Sequence, residues 1–469
     1  MNNFFKDFFI YGFASIVGKV VAIFLIPVYT NVLTQEEYGA MALIVSCKGL
    51  IDLISNLNIH SGISCDYYEF ESDRKRLVST GFYSISAISS LVFICVFAFS
   101  GYLTNNVLGI PNFKAAFILM ALSIPAGSLM SYFSIMTRYK KKPFLFSIGV
   151  LIQLALQIAI SIIGVVVYKK GIDSIFLGVL VGELFAVLYF AFLNKEYIGI
   201  TFEKKYLNRA LLFAIPTLPA ILAGWADSSI GQIIVGRFIS VEELSVYSLA
   251  LQMASVFTLI STAFQNVWSP YLFENYKKDS FISEASSLFS IFVILLLGVT
   301  IFFSIYSIEI VQLLSNIKYA RASIYFPLLC IPMSVYLLFP FATSGILVSR
   351  QTKYIGISYV MGSILNLISI FFLIRYIGII AVPISLALSR IVSFYIMRRK
   401  SNSILKIECP TSLLILLSLV AIISSLMNFY SVDLTYRILI SIAIIPSICL
   451  YMSKKYNVVK LCAIISNSR

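Results

Sequence analysis

A chain of 469 residues, 59% hydrophobic and only 12% charged, with a mean hydropathy of +0.94, is not a water-soluble protein, where about 25% of residues are charged. The formal net charge of +14 raises nucleic acid as a partner. The Lys and Arg lie in short connections between apolar runs, where a membrane protein carries its cytoplasmic bias, so no nucleic-acid partner is expected.

Apolar runs near 20 residues long recur along the chain, a length that crosses a bilayer. Helices are the natural form, because lipid offers no partner to open backbone groups. The pattern predicts fourteen spans: 8–32, 36–60, 77–101, 113–137, 144–168, 175–194, 211–236, 243–267, 285–307, 323–347, 355–375, 379–397, 411–430 and 436–453. The first follows Lys6 without a small-residue cleavage site, so it is expected to stay as a helix. The connections are short, the largest polar stretches being 62–76, 195–210, 269–284 and 308–322, which leaves no room for a soluble catalytic domain. The stretch Asp66–Arg76 mixes aromatics with both charge signs and reads either as an amphipathic helix on the membrane face or as a connector.

With the N-terminus on one side, that side collects 24 Lys and Arg against 8 on the other, with Lys19, Lys48 and Arg390 inside spans. The positive-inside rule then places both termini in the cytoplasm. The seven Cys are scattered without a Cys-x-x-Cys pair, and His60 is the one histidine, read as a cap at the end of span 2. Neither a metal site nor a cofactor is expected.

The chain carries an internal echo. Asn31–Glu37 aligns with Arg237–Glu243 at an offset of 206, Ile124-Pro125 with Ile331-Pro332 at 207, and Gly171-Ile172 with Gly378-Ile379 at 207. The repeat pairs spans 1–6 with 7–12. Six is even, so both halves insert in the same orientation. The expected architecture is all-α and polytopic: an N-terminal lobe over 1–200, a C-terminal lobe over 201–400, and an additional helix pair with a tail over 401–469.

Charges inside spans cost roughly 2.5–3.5 kcal/mol each on insertion scales and so ask for a reason. Lys19 lies too deep to reach the surface comfortably, which favours a polar cavity. Lys48 and Asp52 are four residues apart and can pair on one helix face; they read either as an internal ion pair or as cavity groups. Asp227 sits near the middle of span 7 as a packing group or a functional one. Glu183 and Arg390 occupy matching repeat positions, offset 207, with opposite charge, and Arg390 is near enough to the cytoplasmic face to snorkel. A cationic cavity suits an anionic substrate, because Lys and Arg bind phosphate oxygens strongly.

The run Ile26–Thr34 with Glu37-Tyr38-Gly39, and the acidic-basic loop ending Arg74-Lys75-Arg76, resemble those of Wzx-type O-antigen and polysaccharide repeat-unit flippases, which belong with the multidrug/oligosaccharidyl-lipid/polysaccharide exporter superfamily. The resemblance implies an undecaprenyl-pyrophosphate-linked oligosaccharide, moved from the cytoplasmic to the periplasmic leaflet of a bacterial inner membrane by alternating access. It also implies proton or sodium coupling, and a polysaccharide polymerase and chain-length regulator as partners alongside membrane lipids. Relatives often carry an Asp-Arg pair in span 7; here Ser228 follows Asp227, which shifts any role of that Arg to Arg237. The expected substrate site is Lys19, Lys48, Arg390 and Arg237, with Asp52, Glu183 and Asp227 as counter-ions or ion-coupling groups and no catalytic residues. The alternatives are a cation-coupled multidrug antiporter of the same superfamily, a membrane polysaccharide polymerase or ligase, and a non-transporting scaffold.

Overall fold

Every regular element among the residues described by the computed structural model is helical. Those residues are 2–408 with 419, 422, 423, 426, 427, 430 and 437. In chain order the principal helices are α1 (Asn2–Val32), α2 (Gln35–Asn56), α3 (Ile59–Asp66), α4 (Arg74–Ala98), α5 (Lys114–Tyr139), α6 (Pro143–Ile162), α7 (Asp173–Leu193) and α8 (Lys204–Phe238). They continue as α9 (Val241–Ala254), α10 (Val256–Asn275), α11 (Phe281–Ile305), α12 (Ser307–Leu314), α13 (Ala322–Leu337), α14 (Phe339–Val348), α15 (Lys353–Ile377) and α16 (Ala381–Asn402). Ten segments among the described residues are long and apolar enough to cross a membrane, and one of these, Lys353–Asn402, holds both α15 and α16. Expected spans 13 and 14 lie almost wholly outside the described residues.

The chain divides into two compact units, Met1–Ser248 and Leu249–Arg469. The division falls inside α9 rather than at 200/201, because α8 packs along α2, α3 and α4 of the first unit. In that unit α5 and α7 form the most extensive pairing, with α6 closing on α7 and α1 lying on α6. In the second unit α16 is the centre, packed against α13, α14 and α15.

The hairpin between α1 and α2 is short because its cap is complete. Thr34 Oγ1 accepts from the Glu37 amide at 3.1 Å, while the Thr34 amide donates to Glu37 Oε2 at 2.8 Å. This capping box satisfies two otherwise orphaned donors within two residues of chain. At the aligned position Ser240 Oγ accepts from the Glu243 amide at 3.1 Å. The two hairpins meet: a Cβ on Gly39 would overlap the Val241 carbonyl, and one on Gly236 would stand 2.7 Å from Leu43 Cδ2. The other aligned glycines, Gly171 and Gly378, both take positive φ, +56° and +57°, a conformation in which glycine lacks the penalty of a side chain.

Three expected spans are interrupted. Span 8 breaks at Ser255, and span 10 breaks between α13 and α14, where Pro340 has no N–H to give the preceding turn. Span 2, expected to run unbroken to residue 60, stops at Asn56. Leu57 and Asn58 adopt left-handed backbone, φ 43° and 54°, costing on the order of 1–3 kcal/mol each. Neighbours hold the break: Asn58 Nδ2 donates to Thr217 Oγ1 on α8 at 2.8 Å, and Ser61 Oγ donates to Asn58 Oδ1 at 2.6 Å. Gly62 then lets α3 lie directly on α8, since an added Cβ would be 2.7 Å from Ala210 Cα. His60 is therefore in the first turn of α3 and caps no span.

Candidate functional site

Three of the expected intramembrane charges converge in the first unit. Lys48 on α2 reaches Asp52 at 3.0 and 3.2 Å through its Nζ, one turn along the same helix. The same Nζ lies 3.3 Å from Glu183 Oε1 on α7. Lys48 and Glu183 side chains are 14% and 11% exposed and Asp52 36%, so the cluster is drier on its Glu183 side. Glu183 Oε2 is buried without a hydrogen-bond partner. It points toward Gly127 of α5, where a Cβ would stand 2.8 Å away, and the adjacent Ser123 hydroxyl already donates to the Met120 carbonyl at 2.9 Å. The carboxylate thus fits closely against α5, and the missing side chain of Gly127 is what leaves space for it. With both carboxylates ionised the cluster carries one more negative than positive charge.

The other expected residues are placed separately. Lys19 is half-buried on α1, next to Gly18, which faces Leu154 of α6. Asp227 is 5% exposed on α8, close enough to Tyr247 for its charge to act on that phenol. Two residues before it, Trp225 Nε1 donates to the Ser46 carbonyl at 3.0 Å, fastening α8 to α2 two residues from Lys48. Arg237 is exposed in the last turn of α8, against Gly109. Arg390 lies on α16 in the second unit, its guanidinium 4.7 Å from the centre of the Tyr336 ring and 5.9 Å from that of Phe339.

The largest polar network was not foreseen. At the far end of the first unit from the hairpins, Arg209 of α8 binds Asp66 at 2.9 Å and Glu69 at 2.7 Å, and Tyr206 donates to Asp73 at 2.9 Å. Lys140 binds Glu196 at 2.8 Å, which holds that carboxyl below its ordinary range. Tyr67 donates to Tyr197 at 3.2 Å, and burial with this contact pushes its phenol up. The stretch 66–76 is thus a turn tied to the start of α8. In the second unit Arg437 grips Glu309 through two bonds, 2.6 and 3.1 Å, and donates to the Ile305 carbonyl at 2.9 Å.

Two cavities accompany these groups. A polar one of about 670 Å³ lies beside α3. An apolar one of about 480 Å³ in the second unit is walled by α13 and α16 residues such as Leu328, Ile331 and Ile384, together with Leu426 and Tyr430.

The polysaccharide biosynthesis protein family matches the chain over residues 28–324. A Haemophilus influenzae protein of the Lsg locus is 22% identical over 306 residues, covering 63% of this chain and 72% of its own. Among solved structures, the lipid II flippase MurJ in an inward closed conformation superposes with a TM-score of 0.72 at 15% identity, covering 96% of this chain and 99% of its own. An inward-facing multidrug-resistance transporter of the MATE family gives 0.63 at 13% identity, covering 84% and 94%. The fold is that of these transporters.

Proposed function

We propose that this chain, which belongs to the polysaccharide biosynthesis protein family, flips an undecaprenyl-pyrophosphate-linked oligosaccharide across the bacterial inner membrane by alternating access. The observation that carries this reading is the Lys48–Asp52–Glu183 cluster, held between two membrane-spanning helices. Such charges are retained inside a membrane where substrate or ions pass. Lys48 is the cation offered to the pyrophosphate, with Lys19, Arg390 and Arg237 as further cationic groups. Glu183 and Asp52 hold Lys48 until the substrate arrives, and together with Asp227 are the groups through which a proton or sodium ion couples. The apolar groove walled by Ile331 and Ile384 suits the isoprenoid chain, since it offers that chain contact without an unpaired polar atom. Both termini face the cytoplasm in this reading, and a polysaccharide polymerase and chain-length regulator act on the product.

The test is a deletion strain complemented with Lys19→Ala or Lys48→Ala. Compared at matched membrane abundance, each variant should abolish surface polysaccharide, with lipid-linked repeat units accumulating on the cytoplasmic leaflet. Normal polysaccharide in both variants sinks the site assignment. The excess of carboxylate in the cluster favours one alternative, a cation-coupled antiporter; drug sensitivity of the deletion strain with unchanged polysaccharide would select it.

A further inference from the structure

The connection from Leu193 of α7 to Lys204 of α8 is stitched to α5 and α4 along its length. Lys140 Nζ binds Glu196 at 2.8 Å and donates to the Leu193 carbonyl at 2.7 Å. Ser79 Oγ donates to the Tyr197 carbonyl at 2.8 Å and accepts from the Gly199 amide at 2.7 Å. Thr80 Oγ1 accepts from the Glu203 amide at 3.0 Å, and Arg76 meets the Glu203 carboxylate at 3.3 Å. Residues 200–202 are therefore a short piece of chain held at both ends.

The side chains of that piece alternate, as they do along extended chain. Thr201 Oγ1 is buried, whereas Ile200 is 98% exposed and Phe202 54%. Ile200 thus packs against almost nothing of its own chain. The end of α7 adds the exposed Phe192, with Lys195 Nζ 4.7 Å from its ring centre. Bulky apolar side chains fixed outward on a bonded strap mark a surface that meets something apolar.

The level of the strap says what that is. It crosses α4 at Ser79 and Thr80, five and six residues past the start of that helix, roughly 8 Å of rise. The segment Arg74–Ala98 is long and apolar enough to cross a membrane, so the strap lies at the depth where α4 enters the bilayer. Charge agrees with this level. Glu196 is taken by Lys140, and Glu203 by Arg76 and Lys205. Lys195 and Lys204 are exposed on either side of the apolar pair, so the outward charge beside it is positive. Cations flanking apolar side chains at this depth suit anionic headgroups over acyl chains.

We infer that residues 195–204 are an interfacial anchor for an anionic phospholipid surface. Ile200 and Phe202 enter the boundary between headgroups and acyl chains, and Lys195 and Lys204 lie among the headgroup phosphates. The strap is already bonded in place, so contact with the bilayer orders little chain. The anchor holds the connection between α7 and α8 at the membrane boundary. It goes beyond the transport reading and does not depend on it.

The test measures depth. The full-length chain with all seven Cys changed to Ser receives Ile200→Cys, is labelled with a nitroxide and is placed in nanodiscs. Phe202→Cys is a second, independent position in case the first folds poorly. Glu71→Cys serves as the aqueous reference, since Glu71 precedes α4 and its side chain is 80% exposed. Collision of the label with oxygen, relative to a water-soluble nickel chelate, should be severalfold greater at 200 or 202 than at 71. Replacing part of the phosphatidylcholine by phosphatidylglycerol should raise the ratio further. The pair Lys195→Gln and Lys204→Gln should remove that rise while leaving the ratio in phosphatidylcholine unchanged. A ratio at 200 and 202 equal to that at 71 would overturn the anchor and leave the apolar pair to a soluble partner. A rise that survives loss of both lysines would overturn the headgroup assignment. Depth is read without transport, so either failure leaves the flippase reading standing, and loss of polysaccharide in Lys48→Ala says nothing about this strap.

Discussion

Glu183 and Arg390 stand at matching positions of the internal repeat, yet the two units settle them by different physics. Glu183 is an anion among apolar helices and is met by a full opposite charge, Lys48, at 3.3 Å. Arg390 is set over aromatic faces, with Tyr336 at 4.7 Å and Phe339 at 5.9 Å. A carboxylate is compact and strongly hydrated, so leaving water without a cation is very costly. A guanidinium is flat and weakly hydrated, and a ring quadrupole serves it well. One half of the repeat therefore holds a charge by pairing, which fixes its geometry and makes it dependent on a partner on α2, five helices earlier in the chain. The other sets its charge against aromatic faces, so the contact is made through the flat face of the guanidinium.

The largest expected break of this contrast is Lys48→Met. It keeps most of the unbranched stem and removes the shared cation, leaving the buried Glu183 beside Asp52 without an opposite charge. Removal of one partner from a buried pair costs about 3–5 kcal/mol, so thermal unfolding of the purified protein should move down by several degrees. Adding Glu183→Gln to that variant should recover much of the loss, because the stranded charge is then gone. If the double variant is no more stable than Lys48→Met, Glu183 is not held chiefly by Lys48.

Which parts of this arrangement the sequence discloses follows from the range of each interaction. The Lys48–Asp52 pair is local, four residues on one helix, and spacing alone brings it into reach. The hairpins are legible for the same reason: Thr34 with Glu37 is a capping box written in four consecutive residues, and Ser240 with Glu243 repeats its spacing. Helical class is legible from the length of the apolar runs. The Glu183 bridge is not, because it depends on how α7 packs against α2, and on Gly127 leaving space for the carboxylate; neither has a periodic signature. Likewise Arg437 and Glu309, far apart in the chain, carry no local sign of their pairing. The break at Leu57 was hidden by the leucine itself, a residue that rarely takes left-handed backbone; Asn58, which tolerates it, was the only local hint.

A milder break acts on the stacked side. Tyr336→Leu keeps an apolar side chain beneath Arg390 and removes the ring quadrupole, at a cost of about 0.5–2 kcal/mol. Phe339 remains, so the loss should fall toward the lower end. Arg390→Lys in the same background should add little, since the planar stack that distinguishes the two cations is already weakened. A drop as large as that of Lys48→Met would show that Arg390 depends on more than its rings.

Asp52→Asn should have the smallest effect and sharpens the comparison most. Its side chain is 36% exposed, against 11% for Glu183, although its oxygens lie slightly nearer Lys48. Distance alone would rank Asp52 as the stronger partner. Solvent screening reverses that order, because a pair open to water is worth about 0–1 kcal/mol. The substitution should therefore shift unfolding by no more than a degree or two, and less at high salt, whereas Glu183→Gln should shift it further and with little salt dependence. Equal effects from the two substitutions would mean that distance, and not dryness, sets the strength of this cluster.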